Sequence, residues 1–107
     1  MRILVKGAGV AGLTVAHELA RRGAEVFFVE KNPSIGGEAS WRAGGMLAPF
    51  CERESGQQAV IALGQGAAAW WEAALPGLVA FNGTLVVATP RDTAELRRFA
   101  ARTRGYS

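Results

Sequence analysis

Gly7, Gly9 and Gly12 follow the spacing G-x-G-x-x-G, and a carboxylate, Glu30, stands eighteen residues beyond the last of them. That set suits the holding of a dinucleotide rather than bond-making by side chains. A glycine at the first position allows a tight turn. At the second it lets backbone approach a pyrophosphate with no Cβ in the way, and at the third it lets a helix pack close to a strand. The phosphates then meet the unpaired N–H groups and the positive dipole end of that helix. Glu30 is placed to accept hydrogen bonds from the hydroxyls of an adenosine ribose, and its charge disfavours the 2′-phosphate of NADP. FAD and NAD both present an ADP half, so this loop alone does not separate them.

These residues need a strand, a tight turn, a helix and a second parallel strand to position them. Arg2 to Val5 is a short apolar run that ends near glycine and reads as a buried strand. Gly12 to Arg22 reads as a helix, with Leu13, Ala16, Leu19 and Ala20 at three- and four-residue spacing, and Gly23 sits where a left-handed cap belongs. Glu25 to Glu30 reads as the second strand, and the crossover between the two should be right-handed. An ordinary strand–helix turn that uses glycine only for tightness is the bland alternative. The agreement of strand, helix and acidic residue with the fingerprint weighs against it.

The segment "KNPSIGGEASWRAGGMLAP" follows Glu30. A dinucleotide domain for NAD starts its next helix soon after the acidic residue. Here a second run of small residues, Gly36 to Gly45, takes its place. Small residues keep backbone N–H groups accessible and let the chain lie against a flat aromatic group such as a flavin. Further on, Gln57 to Ala74 has helical content and stops at Pro76. Val79 to Ala88 reads as two short strands around Asn82-Gly83, a strong hairpin signal. Thr89-Pro90-Arg91-Asp92 opens a last helix, with Thr89 as cap, Pro90 at its first position and Asp92 closing a capping box.

The stretch from Gly7 to Lys31, followed by "GGEASWRAGGMLAP", resembles the N-terminus of the D-amino-acid oxidase superfamily of flavoproteins, and within it the glycine oxidase group of thiamine biosynthesis. "AGGML" resembles that group's signature beside the flavin, and Glu52, Arg53, Glu54 and "FNGTLVVA" also fit. The resemblance implies an α/β fold: a Rossmann-like βαβ dinucleotide-binding unit of a flavoprotein oxidase, incomplete over residues 1–107, with the 79–88 hairpin belonging to the substrate domain. It implies FAD as cofactor. Gly7, Gly9, Val10, Ala11 and Gly12 are then expected on the pyrophosphate, Glu30 with Lys31 on the adenosine ribose, and Ala39 and Ser40 along the diphosphate and ribityl chain. Gly44, Gly45 and Met46 are expected along the isoalloxazine. Plain core packing is the alternative for Met46 and Leu47, and Trp41 and Arg42 default to the surface.

The implied reaction is oxidative deamination of glycine or another small amino acid. Hydride passes from Cα to flavin N5, the imine is hydrolysed or supplies thiazole synthesis, and O2 becomes H2O2. Family members are longer, and their substrate-clamping arginine and tyrosines lie further along. No catalytic residue is therefore assigned here, and Arg91, Arg97, Arg98, Arg102 and Arg104 read as a solvated face. With only two parallel strands legible, the expectation is an N-terminal fragment that is marginally stable alone and holds FAD weakly, if at all. A flavin amine oxidase or desaturase relative, and a non-catalytic nucleotide-binding piece, are the competing readings.

Composition bounds the rest. Half of the 107 residues are apolar, as in an ordinary small globular domain. The net charge of +3 comes from dispersed arginines with no basic stripe or aromatic platforms, which argues against nucleic acid. Cys51 is the lone cysteine, so no intrachain disulfide forms, and a reducing, cytoplasmic setting fits. His17 has no partner cluster for a metal. Lys6, His17 and Glu18 interrupt a would-be signal peptide, and Gln65, Glu72 and Pro76 break the apolar stretch 59–81, so no membrane span is expected. A small amino acid and O2 are the expected partners, and a homo-oligomer is compatible with the sequence.

Overall fold

The computed structural model describes residues 1–51 and 58–103. It divides into two compact units, Met1–Gly45 and Met46–Ser107.

In the first unit, β1 (Arg2–Lys6), α1 (Val10–Arg21) and β2 (Glu25–Val29) follow one another. The strands pair in parallel, in a register that runs from Arg2 opposite Glu25 to Lys6 opposite Val29. Glu25 N–H donates to Met1 O at 3.0 Å and Gly7 N–H to Val29 O at 2.8 Å, so the ladder is closed at both ends. The helix lies against the face that carries Val5; on that face Ile3 and Val26 are half-buried, while Phe28, paired with Val5, stays 45% exposed. Leu4 and Phe27 on the opposite face remain 59% and 45% exposed. Sequence reading makes the first strand a buried run; within the first unit a helix covers one face of the sheet only. On the open face Arg2 bridges to Glu25 at 3.1 Å and stacks over the Phe27 ring at 5.2 Å.

Helix α1 ends as its glycine dictates. Gly23 takes φ +83, its N–H donates to Ala20 O, and Ala24 N–H reaches back to Leu19 O, a Schellman closure. Leu13, Ala16 and Leu19 are half-buried, whereas Ala20, expected with them, is exposed. Residues 31–43 form bends and turns, with three successive i→i+3 bonds from Trp41, Arg42 and Ala43 to Glu38, Ala39 and Ser40.

The second unit contains α2 (Gln58–Gly64), α3 (Ala67–Ala74) and α4 (Thr93–Arg102), the last preceded by a 3-10 turn over Pro90–Asp92. The helix expected over 57–74 is therefore two helices, parted at Gln65-Gly66, where glycine weakens the helix. Ile61 and Pro49 are buried, and a Cβ on Gly64 would come within 2.7 Å of Pro49 Cβ, so that glycine is required for space. Trp70 and Trp71 meet edge to face with centroids 4.9 Å apart. Ahead of α4, Thr89 Oγ1 donates to Asp92 Oδ2 at 2.6 Å instead of capping a backbone N–H, so the expected capping box is not formed.

The hairpin expected over 79–88 is absent: that segment carries no strand pairing. Gly83 does take φ +73, but Asn82 does not join it at positive φ, so the two-residue turn that matches strand twist is not made. An isolated two-stranded hairpin is marginal in water, and Phe81, Leu85 and Val87 here have no sheet to pack upon. The acidic run Glu52–Glu54 lies outside the described residues.

Candidate functional site

The turn after β1 is built by two glycines for two different reasons. Gly7 adopts φ +96 with open space where a Cβ would stand, so its need is conformational. Gly12 is ordinary helix, but a Cβ there would overlap the Gly7 carbonyl oxygen and lie 3.5 Å from Val5 Cγ1. The third glycine of the motif thus lets the helix close upon the turn itself as well as upon the strand.

Gly9 is the N-cap of α1 in extended backbone, and Leu13 N–H makes the first helical bond to its carbonyl at 3.0 Å. The first-turn N–H groups of Val10, Ala11 and Gly12 have no partner inside the helix. One of them is met from far along the chain: Val10 N–H donates to Ser40 Oγ at 2.8 Å. A Cβ on Gly9 would come 3.1 Å from that same oxygen. Ser40 therefore caps the helix in trans, and its hydroxyl hydrogen remains available to an incoming oxyanion. Gly36 N–H, donating to Ala8 O at 2.9 Å, ties the second loop to the first a second time.

Glu30 follows directly on β2. Its Oε2 accepts from Ala8 N–H at 2.8 Å, and its Oε1 accepts from the backbone N–H and the Nδ2 of Asn32 at 3.0 and 2.9 Å. The Ala8 and Asn32 backbone donors hold its carboxyl below the ordinary glutamate value, so it is ionised at neutral pH. Of the roughly four acceptor positions of a carboxylate, three are filled, which leaves one on Oε2. Lys31 Nζ pairs with Glu38 Oε1 at 3.2 Å, and that oxygen also accepts from Asn32 Nδ2 at 3.1 Å. Hydrogen bonding and the charge of Lys31, with Asn32, lower the Glu38 carboxyl as well.

An open groove of about 570 Å³ lies at the carboxyl ends of the two strands, lined by Lys6, Gly7, Val29, Glu30, Lys31 and Glu38. This is where open parallel sheets take their ligands, and the volume lies within the span of small-molecule sites. The glycine turn, the free helix N–H groups, the ionised Glu30 and the groove are contiguous in the first unit. They fit the ADP half of a dinucleotide.

The expected site residues divide accordingly. Gly7, Gly9, Val10, Ala11, Gly12, Glu30, Lys31 and Ser40 come together around the turn and groove, with Ala39 in the same turn as Ser40. Gly44 and Gly45 are exposed, with open space at both. Met46 begins the second unit at 70% exposure, and Leu47 is half-buried. Trp41, 82% exposed, is on the surface as expected. Asn32 and Glu38 are the residues that sequence reasoning missed. The dipeptide Asn32-Pro33 signals a turn, and nothing in it announces a bridge between carboxylates. Among the described residues no group of His, Cys, Asp or Glu could hold a metal, and no helix is long and apolar enough to cross a membrane.

Comparison with known proteins decides which dinucleotide enzymes the chain is kin to. The model of the FAD-dependent oxidoreductase family named for D-amino-acid oxidase matches residues 2–107. The chain belongs to this family. Its members depend on FAD, which resolves the choice that the first glycine loop leaves open. A protein of Rhizobium etli named as a thiamine biosynthesis oxidoreductase is 61% identical over 99% of this chain and 32% of its own length. A glycine oxidase of Pseudomonas aeruginosa is 52% identical over 46% of the chain and 13% of its own length. A thiamine thiazole synthase of Aeropyrum pernix is 38% identical over 80% of the chain and 30% of its own. The chain thus spans about a third, or less, of the length of these family relatives. No solved structure matches.

Proposed function

We propose that residues 1–107 are the N-terminal FAD-binding region of a cytoplasmic enzyme that oxidatively deaminates glycine or a similarly small amino acid and supplies thiazole synthesis for thiamine. The observation that carries the reading is the joined cradle of glycine turn, α1 N-terminus and Glu30, in a chain matched over nearly its whole length by a thiamine biosynthesis oxidoreductase. FAD, when bound, supplies the two-electron oxidation of the amino acid and the return of those electrons to dioxygen.

What the chain's own residues do follows from their positions. The backbone N–H groups of Ala11 and Gly12, at the positive end of α1, hold the pyrophosphate, with Val10 serving it through Ser40, and Gly7 and Gly9 let it approach. Ser40 turns its hydroxyl hydrogen to the same oxyanion while keeping Val10 N–H. Glu30 accepts from the adenosine ribose, and Lys31 adds positive charge at the groove's edge. Ala39 borders the diphosphate and ribityl chain, and Gly44, Gly45 and Met46 run along the flavin ring, where exposed small residues leave room. The substrate clamp belongs to the rest of the enzyme, which acts as a homo-oligomer or alone.

D-amino acid dehydrogenases are also among the relatives, one from Cereibacter sphaeroides at 49% identity over 46% of the chain. They favour a second reading, in which an acceptor other than dioxygen takes the electrons. Reconstitution of the full-length enzyme with FAD, a visible spectrum and a peroxide assay on glycine, sarcosine and D-alanine test both. A flavin spectrum with peroxide from glycine is expected. Turnover of D-alanine with an artificial acceptor but no peroxide favours the dehydrogenase, and failure of FAD to bind defeats both.

A further inference from the structure

The side-chain amide of Asn32 stands between two carboxylates. Its Nδ2 donates to Glu30 Oε1 at 2.9 Å and to Glu38 Oε1 at 3.1 Å, while its backbone N–H donates to Glu30 Oε1 at 3.0 Å. An amide NH2 has two hydrogens, so one goes to each carboxylate. Two like charges this near one another are otherwise unfavourable neighbours, and the shared donor offsets that. Glu30 is consequently gripped at both oxygens from two places, by Ala8 in the glycine turn and by Asn32 two residues on. Glu38, from the second small-residue loop, joins the same chain of bonds and carries Lys31 with it.

A flexible glutamate recognises a ribose well only if its free acceptor position is fixed before the ligand arrives. We propose that Asn32 is the positioning residue of the nucleotide site: it fixes the Glu30 carboxylate for a hydroxyl of an adenosine ribose and, through Glu38, locks that grip to the second loop. The proposal rests on the reading of the groove as the ADP-holding half of a flavin site. A residue that only shapes the turn before Pro33 affects every ligand alike; one that aims Glu30 affects only ligands with ribose hydroxyls.

The test titrates the FAD-free full-length protein calorimetrically with ADP and with 2′,3′-dideoxy-ADP, in wild type, in the near-isosteric, uncharged N32L and in N32A. Wild type is expected to favour ADP by about tenfold, the weight of one or two hydrogen bonds to a charged group. Both variants are expected to shrink that preference to about twofold or less, with dideoxy-ADP affinity within about twofold of wild type. Equal weakening of both ligands, or unfolding of both variants, makes Asn32 a turn or folding residue and overturns the proposal. A wild type that binds ADP without preferring it overturns the ribose grip and leaves the phosphate cradle standing. A wild type that binds neither overturns the site reading beneath.

Discussion

The two units of the chain meet their physical demands in opposite ways. In the first, almost every unusual backbone position has a named partner: Gly7 against Val29, Val10 against Ser40, Ala8 against Glu30 and Gly36, Ala24 against Leu19. In the second, the segment expected to pair as strands does not, and its large apolar residues are more exposed than Leu4 or Phe27 of the first: Leu78 at 76%, Phe81 at 68%, Leu85 at 88% and Val87 at 78%. The first unit is specified by glycine geometry and hydrogen bonds within 45 residues of one another. Local sequence therefore suffices to build a ligand cradle on a two-stranded sheet, but it does not suffice to pair strands over 79–88.

The contrast breaks most visibly at Gly12. Replacing it by alanine drives a methyl into the Gly7 carbonyl, backbone that cannot step aside cheaply. G12A is expected to cost about 3 kcal/mol, the upper range for overpacking, and to abolish nucleotide binding. Chemical denaturation and FAD titration measure it, and a wild-type melt from G12A would mean that the turn is not closed as described.

Next in size is the pH response of the two glutamates. Glu30 and Glu38 have folded-state carboxyls lowered from the ordinary 4.5 by their donors. A lowered folded value means that the unfolded chain binds more protons in that window. The stabilisation is thus complete above the ordinary value and is lost as pH falls below about 4.5 through the folded values. The melting temperature should drop through that acid range, and E30Q should flatten the drop. A variant with the same acid limb as wild type shows that Glu30 is not held by Ala8 and Asn32.

Ser40 tests how firmly the second loop serves the first. Its hydroxyl is the only partner seen for Val10 N–H among the described residues, and S40A is expected to cost about 1 kcal/mol, the weight of a helix cap. The smallest effect belongs to the other unit. L85S changes a side chain already 88% exposed, so stability should move by no more than about 0.5 kcal/mol. A larger loss from L85S than from S40A reverses the comparison.

Legibility in the sequence divides along the same line. The strand, helix and strand of the first unit stand within about two residues of where periodicity and glycine place them, because each boundary is set by a local conformational requirement, such as φ +83 at Gly23. Asn82-Gly83 misled because a turn signal states what the chain can do, while strand pairing also needs a surface to pack on. Asn32, Glu38 and the capping by Ser40 were illegible for another reason. Those bonds join groups six to thirty residues apart, where no period connects them. The family itself was legible, through the specific run "ASWRAGGML" more than through the widely shared glycine motif.

The central claim is that the turn from Gly7 to Gly12 and the carboxylate of Glu30 hold the ADP half of FAD. A crystal structure of the protein with FAD bound tests it most directly. The account predicts pyrophosphate oxygens within hydrogen-bond reach of the Ala11 and Gly12 N–H groups and of the Ser40 hydroxyl, and a ribose hydroxyl on Glu30. A nucleotide seated elsewhere, with Glu30 still bound only to Ala8 and Asn32, contradicts it.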